Sequence, residues 1–157
     1  MYKRVLVPLD GSELGESIVP LLLEIAGPLD MTVMLLRVLE PVMPAILESG
    51  GTAAVDDVDR RRMDAEEYLA PIAAGLRARG VETSWEIRMG RPDDEILAAA
   101  RTMHADLIAM STHGRSGFGR LLFGSVAEQV LRQADVPVFL MRQNGRRAAV
   151  TEVVSGR

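Results

Sequence analysis

Apolar and polar positions along this chain follow two alternating periods. Short apolar runs occur at Val5 to Leu9, Met31 to Leu39, Val81 to Met89, Ala105 to Met110 and Val136 to Met141. Their length and composition predict five β-strands, and three are nearly continuous in apolar residues, as required when both faces of a sheet are covered. Between them, Glu13 to Ala26, Asp59 to Arg79, Pro92 to Met103 and Gly119 to Ala134 carry apolar residues at helical spacing. Strict alternation of strand and helix predicts an α/β domain with a doubly wound parallel sheet and helices on both faces.

Punctuation residues place several boundaries. Ser12 is suited to cap the first helix, Gly80 to follow the second, and Pro92 to open the third. Pro20 and Pro71 fall inside helical patterns and predict kinks or breaks. Glu40 to Asp57 contains Pro41, Pro44, Gly50 and Gly51 and reads as a long loop after strand two, of the kind that forms lids. Residues 1–142 form the predicted domain, and Gln143 to Arg157 reads as a polar, frayed tail.

Composition narrows the function. A chain of 157 residues with 48% apolar and 25% charged residues has the size and balance of one folded domain. A net charge of −4 argues against sequence-independent binding of nucleic acid, which needs a basic face. Lys3 is the only lysine, so nearly all positive charge is arginine, which grips phosphate with a bidentate fork. The absence of cysteine excludes disulfides and thiolate chemistry. No apolar stretch approaches a membrane span, and Val5 to Leu9 is too short for a signal-peptide core, so the expected location is cytoplasmic with no membrane partner.

Candidate chemistry gathers in two loops. Strand one ends in Pro8-Leu9-Asp10-Gly11-Ser12, and strand four leads into Met110-Ser111-Thr112-His113-Gly114-Arg115-Ser116-Gly117-Phe118-Gly119. Ligands of such sheets bind beyond the strand C-termini where strand order reverses, so strands one and four are predicted neighbours flanking a crevice. The glycines of the second loop, with Gly124-Ser125 inside the following helical pattern, suit a phosphate cradle of backbone N–H groups. A Walker loop is excluded because no lysine stands beside a terminal Ser or Thr. A dinucleotide fingerprint is excluded because its glycines do not follow strand one. Neither His104 nor His113 belongs to a metal motif or has an evident carboxylate partner for catalysis, so no catalytic residue is assigned.

These two loops together resemble the universal stress protein family. Its pattern is a glycine, two residues, a second glycine, nine residues, then Gly-Ser or Gly-Thr after the fourth strand. Gly114, the nine residues Arg115 to Phe123, and Gly124-Ser125 match the latter part, while Ser111 stands at the first glycine. The opening Val-Pro-Leu-Asp-Gly-Ser is also similar, and the likeness runs from Tyr2 to about Arg142. The resemblance implies an adenine nucleotide alpha hydrolase-like fold with five strands in the order 3-2-1-4-5.

It also implies a site for ATP, with ADP and AMP as alternatives, and no turnover beyond slow hydrolysis. Asp10 would contact the nucleoside beside Pro8 and Leu9, and backbone at Val38 would face the adenine. Met110 would line the base pocket, and Ser111, at the first glycine of the pattern, is a further nucleotide-binding position. His113 lies in the loop, and Gly114 and Arg115 would meet the phosphates. Gly124, Ser125 and Val126 would add N–H and hydroxyl donors. Asp10 is the candidate contact for a magnesium ion carried in by the nucleotide. With strand five at a sheet edge, Val136 to Met141 is the expected surface for a homodimer, as in members of the family. The leading expectation is a nucleotide-dependent stress-response protein, and the alternative is a nucleotide-independent dimeric interaction protein.

Overall fold

A computed structural model of the chain describes residues 2–41, 51–113, 124–143 and 148–154. The parallel strands are β1 (Arg4–Pro8), β2 (Thr32–Leu39), β3 (Thr83–Met89), β4 (Leu107–His113) and β5 (Val138–Gln143). The helices are α1 (Glu13–Glu16), α2 (Val19–Ile25), α3 (Gly51–Arg77), α4 (Pro92–Thr102) and α5 (Ser125–Gln133). The order β3-β2-β1-β4-β5 agrees with the expectation, and β6 (Ala148–Val154) extends it.

Strand alternation divides the core between two faces. Val5, Val7, Val33, Leu35, Leu107 and Ala109 point to the side covered by α2 and α3. Leu6, Met34, Leu36, Ile108, Met110 and Leu140 point to the side covered by α4 and α5. Both side-chain sets of the central strands are therefore withdrawn from water, which is why these segments are apolar at nearly every position. Full burial of each Leu or Ile contributes about 1.5–3 kcal/mol.

Several sequence expectations change in detail. The first helix is split: α1 ends at Glu16 and α2 starts at Val19, with Pro20 in its first turn. That placement suits a residue lacking an N–H, which would otherwise remove a bond from a continuous helix. Pro71 has the opposite outcome, lying within the 27 residues of α3. The helix also begins at Gly51, so the last seven residues of the expected loop at 40–57 are helical. Gly124 is the N-cap of α5 and lies outside the helix rather than within it.

The tail is the largest correction. Ala148–Val154 pairs antiparallel with β5, from Gln143↔Ala148 to Val138↔Val154, with a register irregularity between Phe139 and Met141. Residues read as a polar tail thus complete a hairpin-like return, and β5 is not the sheet edge. Pairing of two copies through Val136 to Met141 therefore requires β6 to leave its place.

Candidate functional site

The site originates where two neighbouring strands part. β1 and β4 are in register only at Val5↔Leu107 and Leu6↔Ile108. Beyond that point β4 keeps its partner β5 as far as His113↔Gln143. The chain leaving β1 stays with β2 instead, through Leu9 N–H donating to the Leu36 carbonyl at 2.8 Å. The resulting cleft, about 520 Å³, lies at the C-terminal strand ends, as expected where strand order reverses.

Asp10 stands at one lip, on the turn between β1 and α1. The Ser12 backbone N–H donates to Asp10 Oδ1 at 3.0 Å, and the Ser12 hydroxyl donates to the same oxygen. Ser12 Oγ in turn accepts from Gly15 N–H at 3.0 Å, capping α1. Partial burial pushes the Asp10 carboxyl up, but the Ser12 hydrogen bonds and the Arg37 charge outweigh it, leaving the pKa below the ordinary 3.8. Asp10 is therefore a carboxylate at neutral pH. Among the described residues its Oδ2 has no hydrogen-bond partner.

The turn depends on two glycines. Gly11 has φ +83°, and a Cβ there would sit 3.4 Å from the Arg37 guanidinium. At Gly15 a Cβ would come within 2.6 Å of Asp10 Oδ1. The carboxylate thus packs directly on the α1 backbone, a contact that any side chain would displace.

Val38 supplies a backbone edge. On a strand, backbone groups alternate sides. Leu36 bonds towards β1 and Leu39 towards the β3 side, where its carbonyl accepts from Gly90 N–H. Val38 shares the Leu36 phase, so its N–H and C=O point where β1 has already turned away. One donor and one acceptor on a short stretch of extended chain match the edge of a purine base.

The opposite wall is β4 with the start of α5. Met110 is buried, and Ser111 has an ordinary strand backbone, paired with Met141 and without positive φ. Serine therefore fits this position without backbone strain. Gly124, Ser125, Val126 and Ala127 complete the wall. The N–H groups of the first helical turn have no intrahelical acceptors, and Gly124 has no side chain to cap them. Such a terminus favours an anion.

The fold brings Pro8, Leu9, Asp10, Val38, Met110, Ser111, Gly124, Ser125 and Val126 around one cleft. His113 ends β4, while Gly114 and Arg115 lie outside the described residues. Sequence reasoning did not find Arg37, Arg61, Ile96 or Thr112, all of which line the cleft. Arg37 donates to the Leu9 carbonyl at 3.4 Å, and Arg61 of α3 donates to the Glu40 carbonyl at 2.9 Å. Arg37, Arg61 and Ile96 belong to no local motif, so only the fold reveals their proximity, while Thr112 stands between Ser111 and Gly114 of the second loop. Among the described residues no group of three or more metal-ligating side chains is present. No described helix is long and apolar enough to cross a membrane.

The anionic lip, the open backbone edge and the uncapped helix start meet at the strand ends of a doubly wound α/β protein. The universal stress protein family model matches residues 1–142, and the chain belongs to that family. It is 30% identical over 145 residues to universal stress protein MJ0531 of Methanocaldococcus jannaschii, covering 91% of this chain and 84% of that one. The solved structure of MJ0577, from the same organism, superimposes with a TM-score of 0.75 at 25% identity, covering 92% and 98% of the two chains. A universal stress protein from Archaeoglobus fulgidus, solved in complex with dAMP, has the same fold, with a TM-score of 0.62 at 21% identity over 88% and 97%.

Proposed function

We propose that the cleft binds an adenine nucleotide, ATP by preference, and that occupancy controls partner binding in a cytoplasmic stress response. The observation carrying this reading is the pairing, across one cleft, of an open purine-matching edge at Val38 with an uncapped helix start at Gly124. A base and a polyphosphate need these two features at opposite ends of one site. The dAMP complex of the Archaeoglobus fulgidus relative supports the ligand class.

In this reading Pro8, Leu9 and Met110 pack against the base, and Asp10 Oδ2 accepts from a ribose hydroxyl. Ser125 and Val126 N–H groups meet the phosphates, with Gly114 and Arg115 from the connecting loop. Magnesium arrives with the nucleotide and takes most of its ligands from phosphate and water, with Asp10 as its protein contact. Asp10 serves as ligand rather than general base because its hydrogen bonds hold it as a weakly basic carboxylate. Turnover is therefore slow, and the bound state is the functional output. Assembly through β5 follows only when β6 is displaced.

Calorimetric titration with ATP and magnesium tests this reading, alongside Asp10→Ala and Gly124→Val variants checked for intact folding. Saturable binding by the wild-type protein, weakened at least about ten-fold in each variant, is expected. Absence of binding by the wild-type protein overturns the proposal.

A further inference from the structure

Thr112 carries a hydroxyl that no described residue uses. The residue lies on β4 and is only 4% exposed, yet its Oγ1 is buried without a hydrogen-bond partner among the described residues. Buried hydroxyls are nearly always paired, because desolvation without a partner is costly. Strand alternation places Thr112 on the face of Ile108 and Met110, towards α4 and α5. Ser111 points the other way, and its hydroxyl is engaged by Ser17.

A second set of donors, without partners among the described residues, borders the same cleft. The N–H groups of Ser125, Val126 and Ala127 start α5, and all three residues line the cavity together with Thr112. A threonine hydroxyl can accept from such a helix start, but Thr112 Oγ1 makes no such bond among the described residues. A hydroxyl and amide N–H groups bordering one cleft are matched by a ligand that brings several acceptor oxygens and negative charge.

We infer that Thr112 Oγ1 donates a hydrogen bond to a phosphate oxygen of the nucleotide. It thereby discriminates phosphorylated ligands from the free nucleoside. This rests on the nucleotide reading of the cleft and adds to it a residue that reads the phosphate chain. The base end of the ligand is outside its reach, being held by the Val38 edge.

The decisive variant is Thr112→Val, which keeps the shape and removes the hydroxyl, with Thr112→Ser as its hydroxyl-retaining control. Affinities for ATP and for adenosine are measured by calorimetry, and unliganded thermal unfolding is measured in parallel. Thr112→Val is expected to weaken ATP about ten-fold or more, as for a hydrogen bond to a charged group, and to leave adenosine within about two-fold. Thr112→Ser is expected to retain ATP affinity within about three-fold. The unliganded melting temperature of Thr112→Val should be unchanged or higher, because no protein partner is lost.

Unchanged ATP affinity in Thr112→Val overturns the inference, as does an equal loss for adenosine. A lower melting temperature in Thr112→Val also overturns it, since the hydroxyl would then have a structural partner. Failure of the wild-type protein to bind either ligand sinks the nucleotide reading itself, whereas wild-type binding with an indifferent valine variant sinks only the role of Thr112.

Discussion

Ser17 Oγ and Ser111 Oγ lie 3.0 Å apart, joining the break between α1 and α2 to strand β4 across 94 positions of sequence. Ser111 Oγ also lies 3.5 Å from the Gly15 carbonyl. The serine that stands at a family glycine thus directs its hydroxyl towards α1. It ties together the two walls that carry Asp10 and Met110.

Replacing either serine by alanine should therefore cost stability rather than ligand affinity. Ser111→Ala and Ser17→Ala are each expected to lose about 0.5–1.5 kcal/mol in urea unfolding. The double variant should lose less than the sum, because both remove one bond. Strict additivity would show that the hydroxyls are not coupled.

Gly15→Ala tests the contact between Asp10 and the α1 backbone. Alanine favours helix over glycine by up to about 1 kcal/mol, which alone predicts stabilisation. The 2.6 Å approach of its Cβ to Asp10 Oδ1 reverses the sign, since the carboxylate is held by Ser12. Overpacking of this kind costs about 1–3 kcal/mol, so a net loss is expected, together with weaker ATP binding. A more stable variant with full affinity would contradict this geometry.

The Asp10 carboxyl should titrate below its ordinary value of 3.8. A depressed folded-state pKa means that the unfolded chain binds the proton more tightly. The stabilisation from this group is accordingly complete above about pH 5 and is lost as pH falls through the folded-state value. Carbon-detected NMR of the carboxyl reads the midpoint directly, and Asp10→Asn should flatten this part of the acid unfolding curve. A midpoint above 3.8 would mean that burial outweighs the Ser12 bonds.

Ile108 is fully buried at the last register pair before β1 and β4 separate. Ile108→Ala should cost about 2–5 kcal/mol through lost burial and the cavity left behind. Denaturant unfolding measures this, and a loss below about 1 kcal/mol would show that the adjoining cleft collapses to fill the space.

Removing residues 144–157 uncovers the outer side of β5, which β6 otherwise pairs. An open apolar edge strand recruits another chain. Sedimentation velocity should show that the shortened chain self-associates more strongly than the full one. Equal association states would indicate that β6 does not govern this edge.

The sequence by itself determined the alternation of five strands with helices, because a sheet covered on both faces demands nearly unbroken apolar strands. It also identified the loops after β1 and β4 as the site, since Asp10-Gly11-Ser12 and Gly124-Ser125 carry local chemistry that needs no knowledge of distant contacts. Helix limits were less legible. The start of α3 at Gly51 has no periodic signature, and of the two prolines expected to kink or break a helix, Pro20 accompanies a break while Pro71 lies within α3.

Only the tertiary structure decided that Thr112 is buried without a partner among the described residues, that Arg61 reaches the end of β2, and that Ser111 turns towards Ser17. These are facts of proximity between residues remote in sequence, and no local period encodes them. The placement of β6 belongs to the same class. Ala148–Val154 lacks the alternation of an independent strand, and it is a strand because β5 presents it with a row of unpaired backbone groups.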